Sequence, residues 1–183
     1  LPKLRQLFKY REYTSLDRHR AQVPVGSTEK WTVPGDRYLE ITPETVCVFA
    51  ETFTNPLVRA QDLDMLREVV DEARGRAPGL RLIIDSTIAT PWAFSTPLLD
   101  RGVDVVLASG TKALGGTDRD LWGYVATNDT QLATGIMDLL ALRGGILDWR
   151  RAQAILDTWD DAEAAHARRS ATATRVAAFL ASH

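Results

Sequence analysis

Three short apolar runs set the limits on what this chain can fold into. Val46-Cys47-Val48-Phe49-Ala50-Glu51, Leu80 to Asp85, and the run from Val103 through Val105-Val106-Leu107 each have the length of a strand and lead into polar residues. Between the first two, Asp62 stands as a helix cap ahead of Leu63, Leu66, Val69, Val70 and Ala73, which recur on one helical face until Gly75 and Pro78-Gly79 close it. A strand, a helix-sized crossover and a second strand pair in parallel, because only a long connection returns the chain to the same end of the sheet. The chain therefore reads as α/β with a mostly parallel sheet. The polar ends of the three runs are expected together at one edge, where open sheets of this class bind ligands.

What emerges there is chemically varied. The first run is followed by Thr52-Phe53-Thr54-Asn55-Pro56, the second ends in Asp85-Ser86-Thr87, and the third leads directly into Ser109-Gly110-Thr111-Lys112. Taken singly, Lys112 reads as a solvated loop lysine and Asp85 as a turn former or helix cap. The order is not that of a P-loop, which needs glycine, lysine and then hydroxyl. Together, a carboxylate, an amide, two hydroxyls and a lysine around one crevice are what a pyridoxal phosphate site needs. The lysine bonds the cofactor, the carboxylate keeps the pyridine nitrogen protonated, and the hydroxyls hold the phosphate.

Glu51-Thr52-Phe53-Thr54-Asn55-Pro56, Ile83 to Trp92 (IIDSTIATPW) and Ala108 to Gly116 (ASGTKALGG) resemble, in order and spacing, three consecutive motifs of the cystathionine γ-synthase and γ-lyase family of PLP-dependent enzymes. The likeness runs from about Ile41 toward the C-terminus and weakens after Arg143. It implies a three-layer, fold-type-I PLP-dependent transferase-like domain, incomplete here, with a mostly parallel sheet and helices on both faces. It also implies Lys112 as the catalytic, cofactor-bonding lysine, Asp85 on the pyridine nitrogen, Ser109 and Thr111 on the phosphate, Asn55 near the ring hydroxyl and Thr87 against the cofactor. The implied function is that of a PLP-dependent subunit or fragment of the transsulfuration type, acting on sulfur-containing amino acids or activated homoserine by elimination or replacement at the β- or γ-carbon. Lyase, synthase and sulfhydrylase stay open. The alternatives are a non-catalytic member of the fold acting as a binding or assembly partner, and another fold-type-I activity such as an aminotransferase. Departures from the family pattern cluster near the lysine: Phe53 for a proline, Ala113 and Thr117-Asp118 for the usual flanking residues, and the bulky Asp120-Leu121-Trp122.

The remaining sequence adds boundaries. With 45% hydrophobic and 25% charged residues, the 183-residue chain has the composition of a globular domain, not of a disordered one. A net charge of −2 gives no reason to expect nucleic acid, and no apolar run reaches membrane-spanning length, so a cytoplasmic protein is expected, with a small amino-acid substrate and either a homo-oligomeric or a complementing partner. Residues 1–40 are more basic than the rest and lack the family's glycine-led helix and ring-stacking aromatic; they read as a divergent N-terminal extension, solvated or partner-contacting. Residues 41–147 then form the PLP-binding core. Residues 148–183 form C-terminal helices leading toward a small domain, the part that in the family supplies an arginine for the substrate carboxylate.

Smaller features were read the same way. Leu98 and Leu99 sit on a short helix after Ser95-Thr96-Pro97, and Trp122 to Thr127 makes a fourth strand, antiparallel to the third because the loop between them is short. Asn128 or Asp129 caps a helix with Leu132, Ile136, Leu139 and Leu140 as its apolar positions, stopped at Gly144-Gly145; Asp148 caps the next. The alanine-rich stretch from Asp160 to Ser182 reads as a long helix, its apolar positions Ala164, Ala171, Val176, Phe179 and Leu180. The lone Cys47 is expected to be buried packing, Trp149 and Trp159 core or interface anchors, and His166 solvated. No histidine and cysteine spacing suits a metal.

Overall fold

The computed structural model describes residues 29–33, 37–55, 58–114 and 121–183. It divides into two compact units, one holding the residues up to Asp85 together with Leu98–Val106, the other Ser86–Pro97 with Leu107–His183. The elements, in chain order, are β1 (Glu29–Val33), β2 (Arg37–Ile41), β3 (Cys47–Glu51), α1 (Leu63–Ala73), β4 (Arg81–Asp85), β5 (Val105–Ser109), α2 (Gly110–Ala113), β6 (Gly123–Ala126), α3 (Thr130–Arg143), α4 (Trp149–Asp157) and α5 (Trp159–Ala181). Two 3-10 turns, Pro91–Ala93 and Leu98–Arg101, lie between β4 and β5.

Strands β1 and β2 pair antiparallel, from Glu29 opposite Ile41 to Val33 opposite Arg37. Leu39 and Ile41 stand two apart with Glu40 between them, a strand-period signal too short to stand out among the surrounding charges. Residues 1–28, which carry the Leu4, Leu7 and Phe8 helix expectation, and residues 34–36 within the Val33 to Asp36 turn signal lie outside the described residues.

The remaining strands form one sheet in the order β3-β4-β5-β6. β3 and β4 are parallel, with Cys47 opposite Arg81 and Glu51 opposite Asp85. From β4 to β5 the hydrogen bonds advance along both strands together, from Asp104 N–H to Leu82 C=O (3.0 Å) to Ser86 N–H to Leu107 C=O (2.8 Å), the pattern of a second parallel pair. β6 runs the other way: Gly110 N–H donates to Trp122 C=O at 2.9 Å, while the Ala108 carbonyl approaches Gly123, so numbers fall on one strand as they rise on the other. The sheet is thus mostly parallel with one antiparallel strand.

The first unit carries most of the core. Asp62 caps α1 by accepting the Met65 N–H at 3.0 Å, and every residue of the expected stripe, Leu63, Leu66, Val69, Val70 and Ala73, is buried with Val48, Leu80, Leu82 and Ile84. Burying each such leucine, isoleucine or valine contributes about 1.5–3 kcal/mol. Asp104 ties the unit's polar side together, accepting the Leu82 N–H at 2.6 Å and pairing with the Arg74 guanidinium. Cys47 is half-buried rather than fully buried, and that burial pushes its thiol pKa up.

In the second unit Asp129 accepts the Leu132 N–H at 3.0 Å to start α3, and Gly144, at φ 72°, ends it in the left-handed conformation that glycine adopts without steric cost. Asp148 starts α4 by accepting from Arg150 and Arg151 N–H. The apolar positions of α3 and α5 stay largely uncovered. None of Leu132, Ile136, Leu139 and Leu140 is buried, and on α5 only Ala162 is, because an apolar face is covered only where another described element packs on it. Among the described residues, no helix is long and apolar enough to cross a membrane.

Candidate functional site

In the first unit, the polar ends of β3 and β4 are locked side by side. Thr52 N–H donates to Asp85 C=O at 2.9 Å, and Asp85 itself is half-buried at the last position of β4. Asn55 is exposed, with its backbone N–H held by the Glu51 carboxylate at 3.0 Å. The Thr52 hydroxyl is buried and has no hydrogen-bond partner among the described residues. A buried hydroxyl without a partner is costly, which marks this strand end as more than packing.

The second unit holds the lysine turn. β5 ends at Ser109, which precedes the four-residue helix α2 without using its own hydroxyl as a cap. The Ser109 N–H instead donates to Thr87 Oγ1 at 2.9 Å, so two of the sequence-selected residues meet directly. Lys112 is exposed, and no described residue pairs with its amine. Thr111 is committed differently: its hydroxyl donates to Trp122 C=O (3.3 Å) and accepts Trp122 N–H (3.2 Å). A hydroxyl has one proton, so Thr111 has none left to offer an anion in this arrangement.

Trp122 also determines what can stand at position 110. A Cβ on Gly110 would lie 2.2 Å from the indole ring, far inside contact distance, so the turn that carries Lys112 is built with a missing side chain facing a large one. The indole Nε1 is buried and has no partner among the described residues. In the sequence Trp122 stands out as a bulky departure and as the start of a fourth strand, and Gly110 as one residue of a small turn. The signal that could have joined them is the smallest and largest side chains standing at facing positions of two adjacent strand ends.

A further cluster was missed altogether. His166 of α5 is half-buried, not solvated as expected: its Nδ1 lies 2.8 Å from Thr90 Oγ1 and its ring 5.9 Å from that of Trp92, which in turn packs on Trp159 at 5.6 Å. Thr90 and His166 are 76 positions apart, so no local pattern could pair them. Trp149 is 70% exposed, with Arg150 stacked over its ring at 4.6 Å, and is no core anchor within the described residues.

The donor set suits a phosphorylated pyridine aldehyde. Among the described residues the Lys112 amine has no partner and the Ser109 hydroxyl caps nothing, and the two share one turn of the second unit; in the first unit the carboxylate of Asp85 ends β4. Among the described residues no group of histidine, cysteine or carboxylate side chains could hold a metal ion.

A family model described as Cys/Met metabolism PLP-dependent enzyme matches residues 20–183, reaching further back than the Ile41 at which the motif likeness starts. Cystathionine beta-lyase of Neurospora crassa is 32% identical over 143 residues, covering 78% of this chain and 30% of that protein. Cystathionine gamma-lyase of Bacillus subtilis is 36% identical over 107 residues, covering 58% of this chain and 26% of the relative. Among solved structures, cystathionine gamma-lyase from Lactobacillus plantarum complexed with L-serine superposes with a TM-score of 0.59 at 30% identity, over 67% of this chain and 30% of that one. The chain thus spans about a third or less of these relatives' lengths.

Proposed function

The chain belongs to the Cys/Met metabolism PLP-dependent enzyme family, and from that premise we propose that it binds pyridoxal 5'-phosphate through Lys112 and forms part of an enzyme that breaks or makes carbon-sulfur bonds at the β- or γ-carbon of an amino acid. The observation that carries this reading is the lysine turn: an amine and a hydroxyl three residues apart, neither with a partner among the described residues, directly at the end of a core strand.

The cofactor, when bound, supplies an electron sink for charge developing at the substrate α-carbon. The chain's own groups do the rest. Lys112 would hold the cofactor covalently, and its amine, when free, would take the α-proton. Asp85 keeps a proton on the pyridine nitrogen, its half-buried position at the strand end strengthening that pairing relative to open water. Ser109, through its hydroxyl, would hold the phosphate, while the Gly110 N–H and the Thr111 hydroxyl, both spent on Trp122, fix the turn rather than grip the anion. Asn55 and Thr87 would contact the ring. The relatives' names support the reaction class, and placement in the cytoplasm with oligomeric assembly completes the proposal.

The test is a visible spectrum of the purified protein with added pyridoxal phosphate, then borohydride reduction and peptide mapping. A visible band with the reduced adduct on Lys112, abolished in Lys112→Ala, is the expected result. A folded protein with no band and no adduct at Lys112 overturns the reading. Turnover of cystathionine and related sulfur amino acids, lost at least a hundredfold in Lys112→Ala, then separates lyase from synthase activity.

A further inference from the structure

We infer that His166 is a positioning residue for the cofactor site: it latches the Ser86–Pro97 loop onto α5 and thereby fixes Thr87 against the backbone of Ser109. The inference rests on the proposed cofactor site, but the latch itself is a property of the second unit and can be read without cofactor.

The loop has few supports of its own. Ser86 donates its hydroxyl to Ala89 C=O at 2.7 Å and its N–H to Leu107 C=O at 2.8 Å, which hold its first turn. Beyond that, Thr90 begins the 3-10 turn Pro91–Ala93 yet makes no side-chain cap to it. Its hydroxyl, in a residue only 4% exposed, goes to His166 Nδ1 at 2.8 Å instead. Trp92, the next turn residue along, packs its ring on both His166 and Trp159. The long helix α5 therefore holds this loop at two adjacent points, one polar and one aromatic.

What the loop carries gives the latch its consequence. Thr87 lies three residues before Thr90 and accepts the Ser109 N–H at 2.9 Å, and Ser109 is the residue from which the lysine turn springs. Displacing Thr90 leaves a buried hydroxyl without its partner and loosens the segment that carries Thr87 to that N–H. A ring held through Nδ1 by Thr90, with Ser170 Oγ 3.4 Å from Nε2, and tilted against an indole suits this task. The polar contact sets the depth of the loop, and the aromatic contact sets its tilt.

Three variants of the full chain separate these contributions. His166→Asn keeps a polar atom near Nδ1; His166→Phe keeps the ring and loses the bond; Thr90→Val removes the other partner at constant shape. Backbone amide exchange of the cofactor-free protein is read for the 86–97 segment and for Ser109, with urea unfolding as the control for global stability. His166→Phe and Thr90→Val are expected to raise exchange at both places about five- to tenfold, the scale of one buried hydrogen bond lost, while His166→Asn restores most of the protection. The double variant should exchange no faster than either single one, since both remove the same bond. Bound pyridoxal phosphate, followed by its visible band, is expected to weaken by a similar factor in Phe and Val variants and to recover in Asn. Unchanged exchange at Ser109 in His166→Phe, or additive effects in the double variant, would overturn the latch even if the parent protein binds cofactor well. A parent protein that binds no cofactor while the exchange pattern holds would instead remove the proposed function and leave the latch standing.

Discussion

The residue that most constrains the lysine turn is one with no side chain. Gly110 faces the Trp122 indole at a distance where a Cβ would overlap ring atoms at 2.2 Å, so the pair behaves as one volume divided unequally between two strand ends. Gly110→Ala is expected to cost about 1–3 kcal/mol by overpacking, and the cost should nearly vanish in a Trp122→Ala background; urea unfolding of the four-member cycle measures the coupling. Additive effects would mean that the ring simply moves aside. Cys47 yields a second expectation at this scale. Burial raises its thiol pKa, so less thiolate is present at a given pH in the folded chain than in the unfolded one. Iodoacetamide labelling at pH 8, followed by mass spectrometry, should therefore run several-fold slower in buffer than in urea, and equal rates would contradict the burial. Residues of this kind are legible only in part. Lys112, Ser109 and Asp85 stand out because their chemistry is unusual at strand ends. Thr111 looks equally suited to phosphate until strand pairing spends its proton on Trp122, and His166 looks solvated because its partners lie 76 positions away.

Among the elements, α1 with its flanking strands was the most readable, and the reason is physical. A cap at Asp62, a stripe at helical spacing and a proline-glycine stop are all local, and packing on one sheet face asks nothing more of them. The parallel pairing of β3 with β4 followed from the crossover length alone. What the sequence did not disclose is how β5 is secured to this unit. Asp104, just ahead of β5, accepts the Leu82 N–H at 2.6 Å and pairs with Arg74 at the end of α1, with Arg81 at 3.8 Å, so a single carboxylate joins a helix end to two strands. Asp104→Ala takes the side-chain acceptor from the Leu82 N–H and one of three partners from Arg74, which keeps Asp71 and the Leu80 carbonyl, and is expected to cost about 1–3 kcal/mol. Arg67→Ala, which removes only an exposed pair with Asp71, should cost no more than about 0.5 kcal/mol in the same denaturation series. Equal losses for the two would show that the Asp104 network carries no special weight.

At the scale of the whole molecule, burial is divided unevenly. Apart from Ala89, Ala108, Leu114, Ile155 and Ala162, every buried apolar residue among the described ones belongs to the first unit. The second unit contributes long helices whose large apolar side chains, Leu139, Leu142, Leu156, Phe179 and Leu180 among them, are half or more exposed. Periodicity gives the helices α1, α3 and α5 alike but not their burial: a hydrophobic stripe states that a face can be buried, and only a packed neighbour makes it so. Identical chemistry should therefore have opposite consequences in the two units. Leu66→Ala, at a position 2% exposed, is expected to lower stability by about 3 kcal/mol, from lost transfer energy plus the cavity left between α1 and the sheet. Leu180→Ala, at 66% exposure, should change it by less than about 0.5 kcal/mol. Parallel urea titrations followed by far-ultraviolet circular dichroism test both, because the first unit's unfolding and the helical signal of α3 and α5 are recorded together. A large loss for Leu180→Ala would mean that α5 is covered in solution by something beyond the described residues, and its apolar face would then belong to a core after all.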